Sequence, residues 1–457
     1  MTGSNPASAA RKALRLVLAV GFLAMLGANL PGHMSLDSIS QLKEGHDHVR
    51  ETWAPAMYAW ILGFFDRFIP GSSLYVVASG LLFFASLAAL ADLRPRTSWL
   101  AVPVAILVMA TPQVMIYQAI VWKDVMFANC SVAGLVCIAQ AAHVWTDRRR
   151  RWLWLAGALM LLAAGCQVRQ NGAVVAVPAS MALGWIASSG RWRRGLAWGL
   201  GAFVAVMAMA QVQMALVTPA KGAPEVANPT SIGVQIIQNY DLLAAVSLDP
   251  GYHLGVMAAA NPAATKVIAE RAKLNYSGRR VDFYDRDEVL GRALWSFPPG
   301  VAGRQWVDLV TRHTGLYLRV RWEDFRWLFA SPVIDWCLPV YVGVDAWAVK
   351  AGMQPRFVQS DVELNNYATW FFDTPVLSHV AYSAVSLVLA GLFLWRRQPA
   401  DIAMGALQLA GLGFTASFFV ITLACDYRYL YFADLAALAG LLYAAIDPPR
   451  PWRRRLP

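Results

Sequence analysis

Charge is what this sequence has least of. Only 15% of its 457 residues are Asp, Glu, Lys or Arg, against about 25% in soluble domains, while 58% are apolar even before glycine is counted. That balance excludes an ordinary water-soluble globular chain. Cysteine is scarce too: Cys130, Cys137, Cys166, Cys337 and Cys425 show neither a CxxC nor a Cys/His spacing, and the first three sit inside apolar runs. A disulfide scaffold or zinc ribbon is therefore not expected. The sequence also lacks tandem repeats and low-complexity tracts.

What it has in abundance is long apolar runs. A bilayer core about 30 Å thick takes ~20 residues at 1.5 Å each. Ten runs qualify: 13–30, 73–91, 98–118, 124–144, 152–168, 173–189, 196–217, 376–395, 402–424 and 429–446. The first follows Arg11, Lys12 and Arg15; it is long for a signal peptide and lacks a clean A-x-A site, so a retained span is expected. The stretch 53–69 is short and ends in Asp66 and Arg67. Its large residues Trp53, Met57, Trp60, Ile61, Phe64, Phe65 and Phe68 recur at helical spacing, the pattern of a helix lying in the interface.

The positive-inside rule tests that choice, because one span more or less inverts everything after it. With 53–69 lying flat, one side of the membrane receives the N-terminus, 92–97, 145–151, 190–195, 396–401 and the tail. Those segments hold 18 basic residues and only Asp92, Asp147, Asp401 and Asp447 as acids. If 53–69 crossed, fifteen of the 18 would face outward. Ten spans with both termini cytoplasmic are therefore expected. The rest of the chain holds 21 basic and 24 acidic residues, so the net +11 is an orientation signal and requires no nucleic-acid partner.

This topology predicts an all-α polytopic membrane protein in three parts. Residues 1–217 form an N-terminal membrane module of seven spans, with an outside loop 31–72. Residues 218–375 form a mostly helical extracytoplasmic domain with amphipathic stretches such as 303–329 and a single cysteine, Cys337, which excludes an internal disulfide. Residues 376–457 form a C-terminal module of three spans with a basic tail.

Once sidedness is fixed, the out-of-place polar residues fall on the outer face. Asp37, His46, Asp47 and His48 follow the first span, and Lys123 and Asp124 open the fourth. Arg169 and Asn171 follow the fifth, Asp426 and Arg428 lie between the ninth and tenth, and Asp434 sits deeper in the tenth. Ionisable groups at this depth are costly and line sites or pair with one another. Simpler roles exist for each: helix caps for Asp37 and Asp124, snorkelling anchors for Lys123, Arg169 and Arg428, and structural ion pairs for Asp426 with Arg428 or Asp434 with a neighbour. His46 and His48, two apart on a helix, point away from each other and are expected to be solvated rather than to bind metal. As a set, carboxylates able to deprotonate an acceptor beside cations able to hold a phosphate have a chemical logic at the depth of a lipid phosphate.

The strings Asp37-Ser-Ile-Ser-Gln41, Trp122-Lys-Asp-Val-Met-Phe127, Arg169-Gln-Asn-Gly172, Ser231-Ile-Gly-Val-Gln235 and Asp426-Tyr-Arg-Tyr429 carry a resemblance. With an Asp soon after the first span, a proline-containing amphipathic helix in the first outside loop and a large outside domain late in the chain, they resemble the GT-C superfamily of polytopic glycosyltransferases. That superfamily includes protein O-mannosyltransferases and the lipid A aminoarabinose transferase. The resemblance implies a plasma-membrane enzyme that moves a sugar from a polyprenyl-phosphate carrier to a glycan, lipid or protein acceptor outside the cell, with inversion. It implies Asp37 as general base, Asp124 as a second catalytic carboxylate, and Lys123, Arg169, Asn171, Asp426 and Arg428 as substrate-binding residues, the cations on the carrier phosphate. The superfamily's His-Pro-Pro reads here Trp53-Ala-Pro55, and no clear metal-binding acidic pair is present, so a divalent cofactor is left open with no ligand set. The alternatives are a transporter or flippase of a lipid-linked or small polar substrate, and a non-catalytic assembly or sensor protein. The transporter fits less well because most charges gather at one surface rather than at the midplane.

Overall fold

The computed structural model describes residues 6–52, 54–189, 191–217, 229–281 and 286–448. Trp53, the start of the 218–375 insertion and the basic tail with Arg450, Arg453, Arg454 and Arg455 lie outside the described residues. Among the described residues the chain is helical, and β-structure is limited to single-residue bridges.

The helices run in order α1 (Pro6–Asn29), α2 (Leu36–Asp47), α3 (Ala56–Asp66), α4 (Ser73–Leu90), α5 (Ala101–Met109), α6 (Pro112–Met115), α7 (Lys123–His143), α8 (Arg148–Val168), α9 (Ala173–Ser188) and α10 (Trp192–Ala215). They continue as α11 (Pro229–Leu248), α12 (Gly255–Ala260), α13 (Pro262–Asn275), α14 (Glu288–Trp295), α15 (Val301–Arg312), α16 (Thr314–Phe329), α17 (Gln359–Thr369), α18 (His379–Arg396), α19 (Pro399–Ile421) and α20 (Tyr431–Ile446). Seven helices among the described residues are long and apolar enough to cross a membrane: α4, α7, α8, α10, α18, α19, and α20 together with the turn that precedes it. The chain is a polytopic α-helical membrane protein. α1 has 24 residues and α9 has 16.

The run 98–118, expected as one straight span, is instead bent by 68° between α5 and the segment Pro112–Ala119. Pro112 has no N–H to donate and forces Thr111 into extended backbone, so the helix stops and restarts. The polar groups exposed by this break find partners, as they must at membrane depth. Asn29 Nδ2 donates to the Met115 carbonyl at 2.8 Å, Tyr431 OH to the Gln113 carbonyl at 2.7 Å, and Gln118 Nε2 to Tyr431 OH at 2.8 Å.

α2 and α3 form a hairpin whose crossing requires glycine on both sides. A Cβ at Gly45 would collide with the Ala59 carbonyl, and one at Gly63 with the Gly45 carbonyl. α3 is ~16 Å long, about half the bilayer core.

The four acids that the sequence places together on one side of the membrane are all paired. Arg15 meets Asp92 at 2.6 Å, Arg150 meets Asp147 at 3.3 Å, and Arg94 meets Asp401 and, at 3.3 Å, Asp447. These contacts bring the N-terminus, 92–97, 396–401 and the end of α20 together.

The insertion packs on two cores. α11 to α15 and the start of α16 enclose their own, with Leu243, Ile268, Leu290, Leu294, Leu309 and Val320 inside. From Phe325 onward, through Val340, Ala348, Leu364 and Ala368, the chain joins the core of the membrane helices. The amphipathic stretch 303–329 is broken at His313 between α15 and α16. Arg321, fully buried, ties the two parts: it contacts Asp241, lies 2.7 Å from Asp324, and donates to the carbonyls of Val420 and Thr422 at 3.0 and 3.1 Å, closing the end of α19. Burial pushes Asp324 up to about 8 and Asp241 to about 6 even beside the guanidinium.

Cys337 and Cys425 form a disulfide between the insertion and the turn before α20. The sequence reading expected no disulfide scaffold, and the chain has this single bridge among the described residues. Spacing hides it, since 88 residues separate the partners.

Candidate functional site

Asp37 stands in the first turn of α2, where a carboxylate is favoured by the exposed N–H groups. The cap residue is Ser35; Asp37 makes no cap of its own, and Ser35 Oγ instead accepts from Trp122 Nε1 at 2.9 Å. The loop just before is pinned at several points. His33 N–H donates to the Ala119 carbonyl at 3.0 Å, and Met34 N–H to the Gly343 carbonyl at 2.9 Å. His33 Nδ1 accepts from the Gly343 N–H at 3.0 Å while Nε2 lies 2.9 Å from Asn29 Oδ1. Burial, with Arg356 nearby, lowers the His33 pKa to about 4, so the ring stays neutral.

The 3₁₀ turn Tyr427–Leu430 brings Arg428 to Asp37 from the far end of the chain. Arg428 Nη2 lies 2.7 Å from Asp37 Oδ2 and 3.3 Å from Asp426 Oδ2, with its guanidinium 4.8 Å above the Trp122 ring. The Asp37 side chain is 54% exposed, whereas that of Arg428 is only 12% exposed. Asp37 can thus be reached from outside, and its cation is fixed from behind. Partial burial pushes the Asp37 carboxyl up, but Arg428 and then Lys123 outweigh it and hold the pKa below the ordinary value.

A second ion pair sits beneath. Arg169 contacts Asp124, donates from Nε to Asn171 Oδ1 at 3.1 Å, and lies within 5.2–5.4 Å of the ring centres of Phe414, Phe418 and Tyr429. Asn171 in turn donates to Ser417 Oγ at 3.0 Å. Lys123 is half-buried and within electrostatic reach of Asp37, Arg169 and Arg428.

The seven residues that the resemblance implies for the site therefore occupy one region: three carboxylates, three cations and Asn171. The Asp124 side chain is 2% exposed and faces Arg169. Neither Asp37 nor Asp124 makes the side-chain cap considered from sequence. Asp434 pairs with His379 at 2.9 Å. His46 and His48 each have a partner: His46 Nδ1 lies 2.7 Å from Asp66 Oδ2, and His48 meets Arg67.

Four residues assigned no role from sequence support the site: Trp122 as the shelf under Arg428, Tyr429 between the two arginines, and Cys337 with Cys425 bracing the turn that carries Arg428. A signal for the disulfide did exist, because these are the two cysteines that the topology expected from sequence puts on the same side, outside the spans. Among the described residues no group of three or more His, Cys, Asp or Glu stands close enough to hold a metal ion. Cavities of about 430 Å³ between α7, α8, α9 and α10, and of about 920 Å³ between α1, α5 and α17, are mostly apolar and do not include the charged cluster.

No protein-family model and no curated protein matches this sequence. Among solved structures the chain is similar to the archaeal oligosaccharyltransferase AglB from Archaeoglobus fulgidus, in complex with an inhibitory peptide and a dolichol-phosphate. Identity is 15%, over 94% of this chain and 50% of that one, with a TM-score of 0.41. The chain thus spans about half the length of that structure.

Proposed function

We propose that this chain is an integral-membrane glycosyltransferase of the GT-C type, moving a sugar from a polyprenyl-phosphate carrier to an extracytoplasmic acceptor. The observation that carries this reading is the exposed Asp37 carboxylate held by the largely covered Arg428 at the centre of a cluster of three cations. In the proposed reaction the acceptor hydroxyl oxygen attacks the anomeric carbon from the face opposite the phosphate, and Asp37 takes the proton. The bond from the anomeric carbon to the phosphate oxygen breaks, its electron pair leaves with the carrier phosphate, and the configuration inverts. Arg428 and Lys123 stabilise that leaving charge. Arg169 adds positive potential from below, and Asp124 and Asn171 hold it in place.

In the resting cluster Arg428 is shared by Asp37 and Asp426. A phosphate entering the cluster competes with Asp37 for the guanidinium. As that contact weakens, the Asp37 pKa rises toward its ordinary value and the carboxylate becomes a stronger base, so donor binding would prime the base.

The topology belongs to the same proposal: ten spans with α1, the bent α5 and α6 pair and α9 included, α3 lying in the interface, both termini in the cytoplasm, and the cluster outside in the plasma membrane. The Arg-rich contacts on one face and the Cys337–Cys425 disulfide on the other support this orientation, since disulfides persist in oxidising compartments. The test is transfer by purified protein in liposomes from polyprenyl-phosphate sugars to envelope acceptors, with products followed by mass spectrometry. A covalent glycosyl product is expected. Passage of the lipid-linked substrate across the bilayer without such a product would establish the flippase instead.

A further inference from the structure

Away from the Asp37 cluster, arginine gathers where α8 and α10 begin. Arg148, Arg149, Arg150 and Arg151 form the first turn of α8, and Arg191, Arg193 and Arg194 lead into α10. Asp147 is the single acid of 145–151 and 191–195. It caps α8 by accepting from the Arg150 N–H at 3.1 Å and meets the Arg150 side chain at 3.3 Å. α9 turns back between the two helices, and Gln167 near the end of α8 donates to the Ala210 carbonyl near the end of α10 at 3.0 Å, so α8 and α10 start together at the opposite end. The cations therefore form one group, and most of their charge has no acid beside it.

Directly below that group lies the cavity of about 430 Å³ between α7, α8, α9 and α10. It is lined by α8 from Trp152 to Leu162 and by α10 from Ala197 to Val206, and its one polar lining residue is Ser180. Small residues open it: Gly201, Ala202 and Ala205 face it from α10, and a Cβ on Gly201 would meet no atom within 4 Å. Ten residues of α8 at 1.5 Å each make it about 15 Å deep, half of a bilayer core of about 30 Å. Trp152 and Trp198 at its upper end are 48% and 40% exposed, so the cavity is open to the surface there. Helical spacing sets the arginines over this mouth. Arg148 stands one turn before Trp152, Arg151 one turn before Leu155, and Arg194 one turn before Ala197 and Trp198, on the same faces. Side chains lean toward the start of their helix, which carries the guanidinium groups outward from the mouth. The Arg151 guanidinium is held there, 5.6 Å from the centre of the Trp152 ring and 4.9 Å from that of Trp145.

We propose that this is a binding site for an acidic phospholipid, one acyl chain lying in the cavity and the headgroup phosphate among Arg148, Arg151 and Arg194. Charge selects the headgroup, since basic pockets between membrane helices hold anionic lipid heads and the N-terminal ends of α8 and α10 favour the same sign. Depth and apolar walls select the tail, since a cavity one leaflet deep with a single hydroxyl offers nothing to a water-soluble anion. A neutral lipid would fill the cavity and leave the arginines unmatched. The site is separate from the Asp37 cluster and stands whether or not Asp37 carries out transfer.

The test is native mass spectrometry of the full-length protein in detergent, titrated with phosphatidylglycerol, with phosphatidylcholine of the same chains as the neutral control and glycerol 3-phosphate as the anion without a tail. Phosphatidylglycerol is expected to bind saturably and at least tenfold more tightly than phosphatidylcholine, and glycerol 3-phosphate to leave it in place. Gly201→Leu puts a side chain into the cavity at a position where leucine also suits a helix better than glycine, and it is expected to weaken phosphatidylglycerol binding at least tenfold in a folded protein. Arg151→Gln combined with Arg194→Gln removes two cations from the mouth and is expected to bring phosphatidylglycerol down to the affinity of phosphatidylcholine. Where that double variant fails to insert, Gly201→Leu and the comparison of the two lipids decide. Equal binding of the two lipids, binding unaffected by Gly201→Leu or by loss of the two arginines in a folded protein, or displacement of the lipid by glycerol 3-phosphate would each overturn the proposal.

Discussion

Arg428 holds two carboxylates, and that sharing sets how Asp37 titrates. A carboxyl held below its ordinary pKa is protonated only at lower pH, so the acid limb of kcat/KM lies at low pH while Arg428 is present. Arg428→Gln removes the nearest charge and raises the Asp37 pKa, so the acid limb is expected to move to higher pH. Arg428→Lys keeps the charge and leaves the limb near its place. A pH profile of all three proteins checks this, and an unmoved limb in Arg428→Gln argues against Asp37 as the titrating base. His33 is shifted in the same direction, but by burial rather than by a paired cation. Its folded pKa of about 4 lies below the ordinary 6.5, so the unfolded chain binds more protons in between. The stability it contributes is full above pH 6.5 and is lost as pH falls toward 4, up to about 3 kcal/mol at ~1.4 kcal/mol per unit. Thermal unfolding at pH 7 and pH 5 is expected to show this drop in the native protein and a smaller one in His33→Gln.

Among the elements, the α2 and α3 hairpin presents Asp37, and its rigidity rests on backbone contact at Gly45 and Gly63. Gly45→Ala places a methyl group against the Ala59 carbonyl and is expected to cost about 1–3 kcal/mol, read as a lower melting temperature with reduced activity. Gly391→Ala, where nothing lies within 4 Å, is the control, and it should be neutral or slightly stabilising in its helix. The helices themselves were legible in the sequence because apolar length is a strong signal, and the ranges read for α4, α7 and α18 to α20 agree closely with those observed. The bend after α5 was written in Thr111-Pro112 but outweighed by the apolar run around it. The close glycine crossing was not legible, since a glycine's neighbours across a hairpin depend on the pairing of two helices and not on either alone.

For the whole molecule, convergence of the charged residues was foreseeable only because sidedness narrows where span ends can meet. Asp426 with Arg428 was legible as a pair from its spacing, but the long-range pairs were not: Asp37 and Arg428 are 391 positions apart, and Asp124 meets Arg169 from another helix end. Arg321 ties the 218–375 insertion to the end of α19, and nothing in the sequence singled it out. Arg321→Met leaves Asp241 and Asp324 buried without their cation and is expected to destabilise the protein by about 3–5 kcal/mol at pH 7.5. The loss should shrink toward pH 5, because Asp241, raised to about 6, takes up a proton over that range, whereas Asp324, raised to about 8, is already largely protonated at pH 7.5; equal loss at both pH values in thermal unfolding would contradict that account. The central claim, that Asp37 is the base of a sugar-transfer reaction at the outer face, has one direct measurement. Transfer from a polyprenyl-phosphate sugar is compared between the native protein and Asp37→Asn, both shown to be inserted and folded. The account predicts at least a hundredfold loss of turnover in the variant, at the lower end of what general-base catalysis contributes; undiminished transfer by Asp37→Asn would contradict it.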